Sequence, residues 1–351
     1  MGVQQKYDLP RLQPGKVIRD ATVWTGADYP DDRSWVFALD AEMRGEIDRC
    51  MRIAMARGID PKDITPEDFP LERTAEVLTE LYRDVECGPG FAMLSGFPVD
   101  GWSEEEITLA YCGLCAHLGR ITLQNREGEF ILEVTDKGKK YDQQMRGYHS
   151  NAHLGYHTDG TNTVTLLCLE TAEEGGLSRL VSGPAVYNEI LRTRPELIDA
   201  LHRGFFHHRR NQREPGDPPV TPYRTPVFGF YNGLFHMAYA GPSIFYCEEE
   251  GVEITPHEKA ALGYLEDVTQ RPDMCAAMEL RKGDIQFVNN FLILHSRTGY
   301  RDSPEHTRKL LRLWLDDENS RRIGPGKMDW YLPEHSRFTR MGGIETLAAA
   351  E

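Results

Sequence analysis

The chain has 351 residues, of which 40% are hydrophobic, and a formal net charge of −15. This excess of negative charge argues against nucleic acid as a main partner, because a nucleic-acid-binding surface needs basic residues to replace counterions. The sequence has no apolar run near the length of about 18 residues that a membrane span requires, and its start lacks the pattern of a signal peptide. We therefore expect a cytoplasmic protein that binds neither nucleic acid nor membrane. Seven cysteines at irregular spacing agree with a reducing compartment.

The segments before the first predicted strand favour helices. Residues 1 to about 36 are irregular and rich in Pro, Gly and Asp, whereas 40–57 and 71–86 carry apolar side chains at helical spacing. Gly58 follows the first of these segments as a helix stop. We predict an N-terminal extension, residues 1–87, whose helices pack on the core that follows.

A third helix is predicted from Ser103 to Gly119, because Ser103 and Glu106 have the spacing of a capping box. Cys112 and Cys115 lie within this helix, and a Cys-x-x-Cys pair can indicate a redox centre or half of a zinc site. No second such pair completes a zinc site in the sequence. We therefore interpret these two cysteines as structural residues of the helix.

The rest of the chain predicts a mainly β fold with flanking helices, with a core over 88–316 and a C-terminal tail over 317–351. The predicted elements are strands at 90–97, 130–134 and 163–169, a hairpin at 226–240 turning at Asn232-Gly233, and helices at 184–203 and 255–269. We expect the tail to wrap the surface or to contribute to a homo-oligomer contact.

Two polar segments are candidates for contact with a small-molecule substrate. The first is the loop at 135–155, which must cross one end of the core and carries Tyr148, His149 and Asn151. The second is the basic run 209–213, which we interpret as a solvated loop, with a lid or substrate-contact role as the alternative. The loop at 135–155 is the stronger candidate.

The sequence His157-Thr158-Asp159 can supply two metal ligands, because positions i and i+2 of a strand point to the same side. Alone this pattern is weak evidence, since with 12 histidines an Asp two places on often occurs by chance. Its surroundings strengthen it: a buried strand is predicted at 163–169, and His295 ends another strand that opens at the turn 282–284. Two imidazoles and one carboxylate on one face suit Fe(II) and leave three coordination positions open.

A third element follows His295. Arg308, Leu310, Arg312 and Trp314 alternate along a predicted strand and therefore share one face. Buried arginines need an anionic partner, and the planar guanidinium group favours a carboxylate bound through two hydrogen bonds. The alternative is an edge strand with solvated arginines. We interpret the pair as an anchor for an acidic small molecule beside the metal.

Together these motifs resemble those of the taurine dioxygenase (TauD/TfdA-like) family in order and spacing, over roughly residues 88 to 316. The matching motifs are His157-x-Asp159, Gly175-Gly176-Leu177-Ser178, Asn290 to His295, and Arg308-x-x-x-Arg312. The resemblance implies a double-stranded β-helix, or jelly-roll barrel. It also implies that His157, Asp159 and His295 are the catalytic metal ligands and hold Fe(II).

The same resemblance implies a dioxygenase that consumes 2-oxoglutarate and O2 as cosubstrates and releases succinate and CO2. Arg308 matches the arginine that binds the distal carboxylate of 2-oxoglutarate, and Ser178 matches a threonine that hydrogen-bonds that carboxylate. Arg312 matches a position that in some members binds the anionic group of the substrate. Hydroxylation of a small organic substrate is the default reaction, and an anionic substrate is one expectation.

Two other classes of protein remain as alternatives at this stage. A metal-dependent barrel enzyme could catalyse a non-oxidative reaction such as isomerisation or elimination, but it would not need an arginine such as Arg308 for a cosubstrate. A non-catalytic protein that binds small acids would have no reason to keep all three metal ligands. Both considerations favour the dioxygenase.

Overall fold

Two β-sheets form the centre of the molecule in the computed structural model, which describes residues 7, 9–29, 33–125, 127–138, 149–210, 212–213, 216–317 and 320–321. The larger sheet runs in the order β1 (Phe37–Ala38), β2 (Phe91–Ser95), β12 (Ile285–Asn289), β6 (Thr163–Glu170), β15 (Lys309–Asp316) and β3 (Arg120–Thr122), with β4 (Ile131–Val134) also paired to β15. The smaller sheet runs in the order β11 (Cys275–Met278), β8 (Ser178–Ser182), β13 (Ile293–Arg297) and β5 (Leu154–His157). The fold is the predicted jelly roll, mainly β with flanking helices.

Two two-stranded sheets, seven α-helices and several short 3-10 helices complete the described fold. The short sheets pair β9 (Phe228–Tyr231) with β10 (Leu234–Met237) and β7 (Glu174–Gly175) with β14 (Tyr300–Arg301). The helices are α1 (Ala41–Ala56), α2 (Arg73–Cys87), α3 (Glu104–Ala116), α4 (Gly183–Thr193), α5 (Ile198–Arg203), α6 (Gly241–Phe245) and α7 (Pro256–Gln270). Among the described residues, no helix is both long and apolar enough to cross a membrane.

Strand β15 shows how the two faces of the larger sheet differ. Leu311, Leu313 and Leu315 pack into a cluster shared with helices α1 to α3, whereas Leu310 and Trp314 pack into a second cluster on the other face. Successive side chains of a strand point to opposite faces, so the alternation follows from the sequence. Full burial of one such leucine contributes about 1.5–3 kcal/mol. The face that carries Leu310 and Trp314 also carries both predicted anchor arginines.

Several helix boundaries follow from capping chemistry that the sequence shows. The Ser103 side chain accepts a hydrogen bond from the Glu106 N–H, and the Glu106 carboxylate accepts one from the Ser103 N–H, as the predicted capping box requires. Cys112 and Cys115 are fully buried in this helix and are free thiols. The hairpin turn also forms as predicted, with positive φ angles at Asn232 and Gly233.

Two predicted elements differ from the structure. The helix expected at 184–203 is broken, because Pro195 lacks an N–H and excludes helical geometry at Arg194, which has φ −141° and ψ 58°. The strand expected from the turn at 282–284 to His295 is two strands, β12 and β13, which belong to different sheets. The chain crosses between the sheets at 290–292, so His295 lies in the middle of β13 rather than at a strand end.

The predicted division at residue 88 stays a prediction. Strand β1, which precedes that boundary, pairs in parallel with β2 and so forms an edge of the larger sheet. The C-terminal tail lies largely outside the described residues.

Candidate active site

His157 and His295 are brought together by strand pairing. They lie opposite each other on the adjacent strands β5 and β13, with ring centroids 4.3 Å apart. Asp159 joins them: its Oδ1 is 3.9 Å from His157 Nε2, and its Oδ2 is 4.0 Å from His295 Nε2. The ligand atoms of the three residues lie within 4.8 Å of one another, which is compact enough for one metal ion.

Asp159 reaches this position from a loop and not from a strand. Strand β5 ends at His157, so the expectation that both residues share a strand face is wrong for Asp159. The Asp159 N–H instead donates to Asn290 Oδ1 at 3.0 Å, and the Thr158 N–H donates to the Tyr239 carbonyl at 2.8 Å. These two hydrogen bonds turn the chain so that the carboxylate faces the histidines.

Hydrogen bonding and burial prepare both imidazoles for metal binding. His157 Nδ1 lies 2.9 Å from the Gly155 carbonyl oxygen and donates to it, which leaves Nε2 as the ring nitrogen that faces the cluster. Burial lowers the pKa of His295 to about 3, which keeps this side chain neutral. A neutral imidazole is the form that binds a metal.

The Asp159 carboxylate is held in its charged form. Burial raises its pKa, but the charge of Arg312, electrostatic interaction with the two imidazoles and the hydrogen bond from Trp314 outweigh this effect, so the pKa falls to about 2. Arg312 Nη1 donates to Asp159 Oδ2 at 3.2 Å, and Trp314 Nε1 donates to the same oxygen at 3.1 Å. An ionised carboxylate beside two imidazoles is a donor set that fits Fe(II).

Arg308 lies on the same inner face of the larger sheet, with its side chain almost fully buried. Only 5% of the residue is exposed, and Nη1 has no hydrogen-bond partner among the described residues. Burial lowers the pKa of Arg308 from its ordinary value. A buried guanidinium group with an unused donor is costly, and a carboxylate ligand would satisfy it.

Gly176 is a neighbour of this arginine, and Ser178 follows it two residues later. Ser178 Oγ donates to Gln286 Oε1 at 2.9 Å and so links β8 of the smaller sheet with β12 of the larger sheet. Gly176 has φ +73°, and a Cβ atom there would lie 2.9 Å from Arg308 Nε. A side chain at residue 176 would therefore require the guanidinium group of Arg308 to shift.

We expect Gly176→Ala to weaken 2-oxoglutarate binding by about tenfold, because the new methyl group displaces the guanidinium group and one charge-assisted hydrogen bond is lost. The measurement is a titration of 2-oxoglutarate into the protein with Fe(II) under anaerobic conditions. Gly101→Ala is the matched control, since Gly101 has φ +79° but no neighbour within 4 Å of the added atom. Equal affinities in the two variants would contradict the packing argument.

A cavity of about 350 Å³ opens beside the three clustered ligands. Arg312 and Trp314 line it beside Asp159. Arg210, Tyr239 and Glu266, which lie outside the two main sheets, form the part of the lining that we call the outer wall. The Tyr239 hydroxyl donates to Glu266 Oε1 at 2.7 Å, which fixes one wall. The cavity therefore presents two cations and one carboxylate in addition to the metal cluster.

The predicted substrate residues have different outcomes. Arg312 lines the cavity, whereas His149 is half-buried and Asn151 is exposed, and neither lines it. Tyr148 lies outside the described residues. The basic run 209–213 is not simply solvated, because Arg209 is buried and Arg210 reaches the cavity. The sequence carried no signal that pointed to Tyr239 or Glu266.

A jelly roll with two histidines and one carboxylate in a compact cluster defines the class of non-haem iron oxygenases. The chain belongs to the taurine catabolism dioxygenase TauD, TfdA family, whose profile matches residues 56–314. It is accordingly an Fe(II)- and 2-oxoglutarate-dependent dioxygenase, as the motif resemblance implied. This result sets aside the non-oxidative enzyme and the non-catalytic binding protein.

Curated relatives and solved structures agree with this membership. The chain is 33% identical over 323 residues to FR-33289 synthase of Streptomyces rubellomurinus, covering 88% of this chain and 93% of the relative. It is 26% identical to the taurine hydroxylase-like protein SAT17 of Stachybotrys chartarum, covering 88% and 82%. Asparagine oxygenase in complex with Fe(II), hydroxyasparagine and succinate has a TM-score of 0.64 at 18% identity, covering 80% and 93%. The non-haem iron oxygenase OrfP with Fe and alpha-ketoglutaric acid has a TM-score of 0.60 at 15% identity, also covering 80% and 93%.

Proposed function

We propose that His157, Asp159 and His295 hold Fe(II), that Arg308 and Ser178 bind the distal carboxylate of 2-oxoglutarate, and that the enzyme hydroxylates a small anionic substrate in the adjoining cavity. The observation that carries the proposal is the compact cluster of three ligands opening directly onto this cavity. Fe(II) bound there with 2-oxoglutarate and O2 supplies the oxidising chemistry, with succinate and CO2 as co-products. A cytoplasmic location and a homo-oligomer stay predictions from the sequence.

In this proposal the protein contributes position and charge. Arg312 and Trp314 both donate to Asp159 Oδ2, so they fix the carboxylate, whose other oxygen lies 3.9 Å from His157 Nε2. Arg308 sets the direction of the cosubstrate, because a guanidinium group binds a carboxylate in one plane. The cavity walls then orient one substrate C–H bond and exclude water.

The charges that line the cavity support an anionic substrate. Arg312 and Arg210 are cations within one cavity, whereas Glu266 is at its outer wall and already accepts the Tyr239 hydroxyl. The solved structures of similar fold include complexes with hydroxyasparagine and with hydroxyarginine, both small molecules that carry a carboxylate. A small organic acid is the substrate class that these observations favour.

The test is a succinate assay. The purified protein is incubated with Fe(II), 2-oxoglutarate, O2 and a panel of small amino, carboxylic and sulfonic acids, each beside its uncharged amide or ester. We expect acids, and not their uncharged analogues, to raise succinate release above the rate without substrate. Failure of the protein to bind 2-oxoglutarate in the presence of Fe(II) would overturn the proposal, and stimulation by the uncharged compounds alone would overturn the anionic substrate.

We expect Arg210→Ala to raise the KM for an active acid by about tenfold, because losing one charge-assisted hydrogen bond costs about 1.5 kcal/mol or more. The KM for the cosubstrate should change little, since Arg210 lies at the outer wall of the cavity. Arg213→Ala is the matched control, because Arg213 belongs to the same basic run and donates to the Asp217 carbonyl outside the cavity. An unchanged KM for the acid in Arg210→Ala would exclude Arg210 from substrate binding.

A further inference from the structure

Arg297 lies two residues after His295 on β13 and therefore points to the same face of the smaller sheet. Across the strand pair its partner is Ser178 of β8. Residues directly opposite each other in an antiparallel pair share a face. A metal ligand, a predicted cosubstrate contact and an arginine therefore line one inner surface.

The guanidinium group of Arg297 is buried and only partly satisfied. The residue is 6% exposed, and Nη2 donates to the carbonyl oxygens of Ser150 and Ala152 at 2.7 and 2.5 Å. Its Nε and Nη1 have no hydrogen-bond partner among the described residues. Two unused donors on a buried cation are costly unless a ligand accepts from them.

Arg297 and Arg308 meet at one aromatic ring. The guanidinium carbon of Arg297 lies 4.8 Å from the centroid of Tyr300, and that of Arg308 lies 5.1 Å from the same centroid. Within the described part of the chain, neither guanidinium group has a carboxylate oxygen within 4.0 Å. Two buried cations on one tyrosine ring repel each other, and an anion that accepts from both would remove the repulsion.

We propose that Arg297 is a second anchor for the distal carboxylate of 2-oxoglutarate, acting together with Arg308. This inference rests on the proposed function, because it requires that the cosubstrate lie along the inner face beside His295. The free donors of the two arginines, Nε and Nη1 of Arg297 and Nη1 of Arg308, supply more hydrogen bonds than Arg308 alone could give. The remaining nitrogen of Arg297, Nη2, keeps its hydrogen bonds to the carbonyl groups of Ser150 and Ala152. Arg297 thereby connects the segment 150–152 to the cosubstrate site.

The test compares two 2-oxo acids on Arg297→Gln. The dissociation constants of 2-oxoglutarate and of 2-oxobutyrate, which has no distal carboxylate, are measured anaerobically with Fe(II) through the visible absorption band of the complex. We expect the constant for 2-oxoglutarate to rise about tenfold and that for 2-oxobutyrate to stay within about twofold. Glutamine keeps one amide donor but lacks the charge and the other guanidinium nitrogens, so the change removes the charge and the free donors.

Two further variants separate a binding role from a structural one. Arg297→Lys restores the charge and should recover part of the lost affinity. Arg179→Gln is the matched control, because Arg179 follows Ser178 on the opposite face of β8 and packs 5.3 Å from the centroid of another tyrosine, Tyr156. It should bind both 2-oxo acids as the unaltered protein does.

Three outcomes would overturn the inference. An unchanged affinity for 2-oxoglutarate in Arg297→Gln would exclude a role in cosubstrate binding. Equal losses for both 2-oxo acids, or the same losses in Arg179→Gln, would show that Arg297 only maintains the fold. If Arg297→Gln does not fold, Arg297→Lys decides, since replacement of the planar group should still weaken 2-oxoglutarate more than 2-oxobutyrate. Absence of the band in the unaltered protein would instead contradict the proposed function.

Discussion

His295→Ala and His157→Ala are each expected to abolish the weak visible absorption band that Fe(II) and 2-oxoglutarate give together without O2. Both imidazoles take part in the cluster whose ligand atoms lie within 4.8 Å of one another. Loss of one of three protein ligands leaves too few donors to hold the ion and cosubstrate in one geometry. Dioxygenase activity should fall to background in the same variants. The measurement is an anaerobic difference spectrum at saturating 2-oxoglutarate.

The matched control is His257→Ala, which removes an exposed histidine from the first turn of helix α7. This variant should keep both the band and the activity. Circular dichroism and thermal unfolding of each variant establish that the fold is intact. A normal band in either ligand variant would remove that residue from the metal site.

Arg308→Ala and Arg312→Ala are expected to impair different molecules although Arg312 lies in β15 and Arg308 immediately precedes it. Arg308→Ala should raise the KM for 2-oxoglutarate by about 10- to 100-fold, since a charge-assisted bidentate pair contributes about 1.5–3 kcal/mol. Arg312→Ala should chiefly raise the KM for the anionic substrate and leave substrate-independent turnover of 2-oxoglutarate largely intact. Its hydrogen bond to Asp159 also predicts a modest loss of Fe(II) affinity.

Each variant is titrated with both molecules, so that one serves as the control for the other. If Arg312→Ala mainly impairs 2-oxoglutarate, then Arg312 belongs to the cosubstrate site, and the anionic substrate loses one of its two supporting cations. If Arg308→Ala leaves the KM for 2-oxoglutarate unchanged, the proposal that Arg308 binds the distal carboxylate is wrong.

The metal cluster and the strand that carries Arg312 could be predicted from the sequence, because each is marked by a short pattern of neighbouring residues. Along β15, a spacing of two residues indicates a shared face, and Leu310 and Trp314 do pack in one cluster. Asp159 shows the limit of this reasoning. Its position depends on a hydrogen bond to Asn290, 131 residues away, which no local pattern encodes.

The residues of the outer wall could not be predicted from the sequence, for a related reason. Tyr239 and Glu266 meet only because the segment after β10 packs against helix α7, and each looks ordinary in its own part of the chain. Arg297 is an intermediate case. Its spacing of two from His295 could have shown that it shares the inner face, but its unused donors become visible only in three dimensions.

The cavity is lined by residues of the central sheets and by residues of the segments around them, and this division bears on how substrate preference can be altered. Strand and strand-end residues such as Asp159 and Arg312 form the inner wall, whereas Arg210, Tyr239 and Glu266 come from connecting segments and helix α7 outside the two main sheets. Loops and surface helices tolerate substitution better than paired strands do. Substitutions in those outer segments can therefore change substrate preference while the residues for iron and cosubstrate stay the same. The outer wall is the part of the cavity to mutate when a different substrate is wanted.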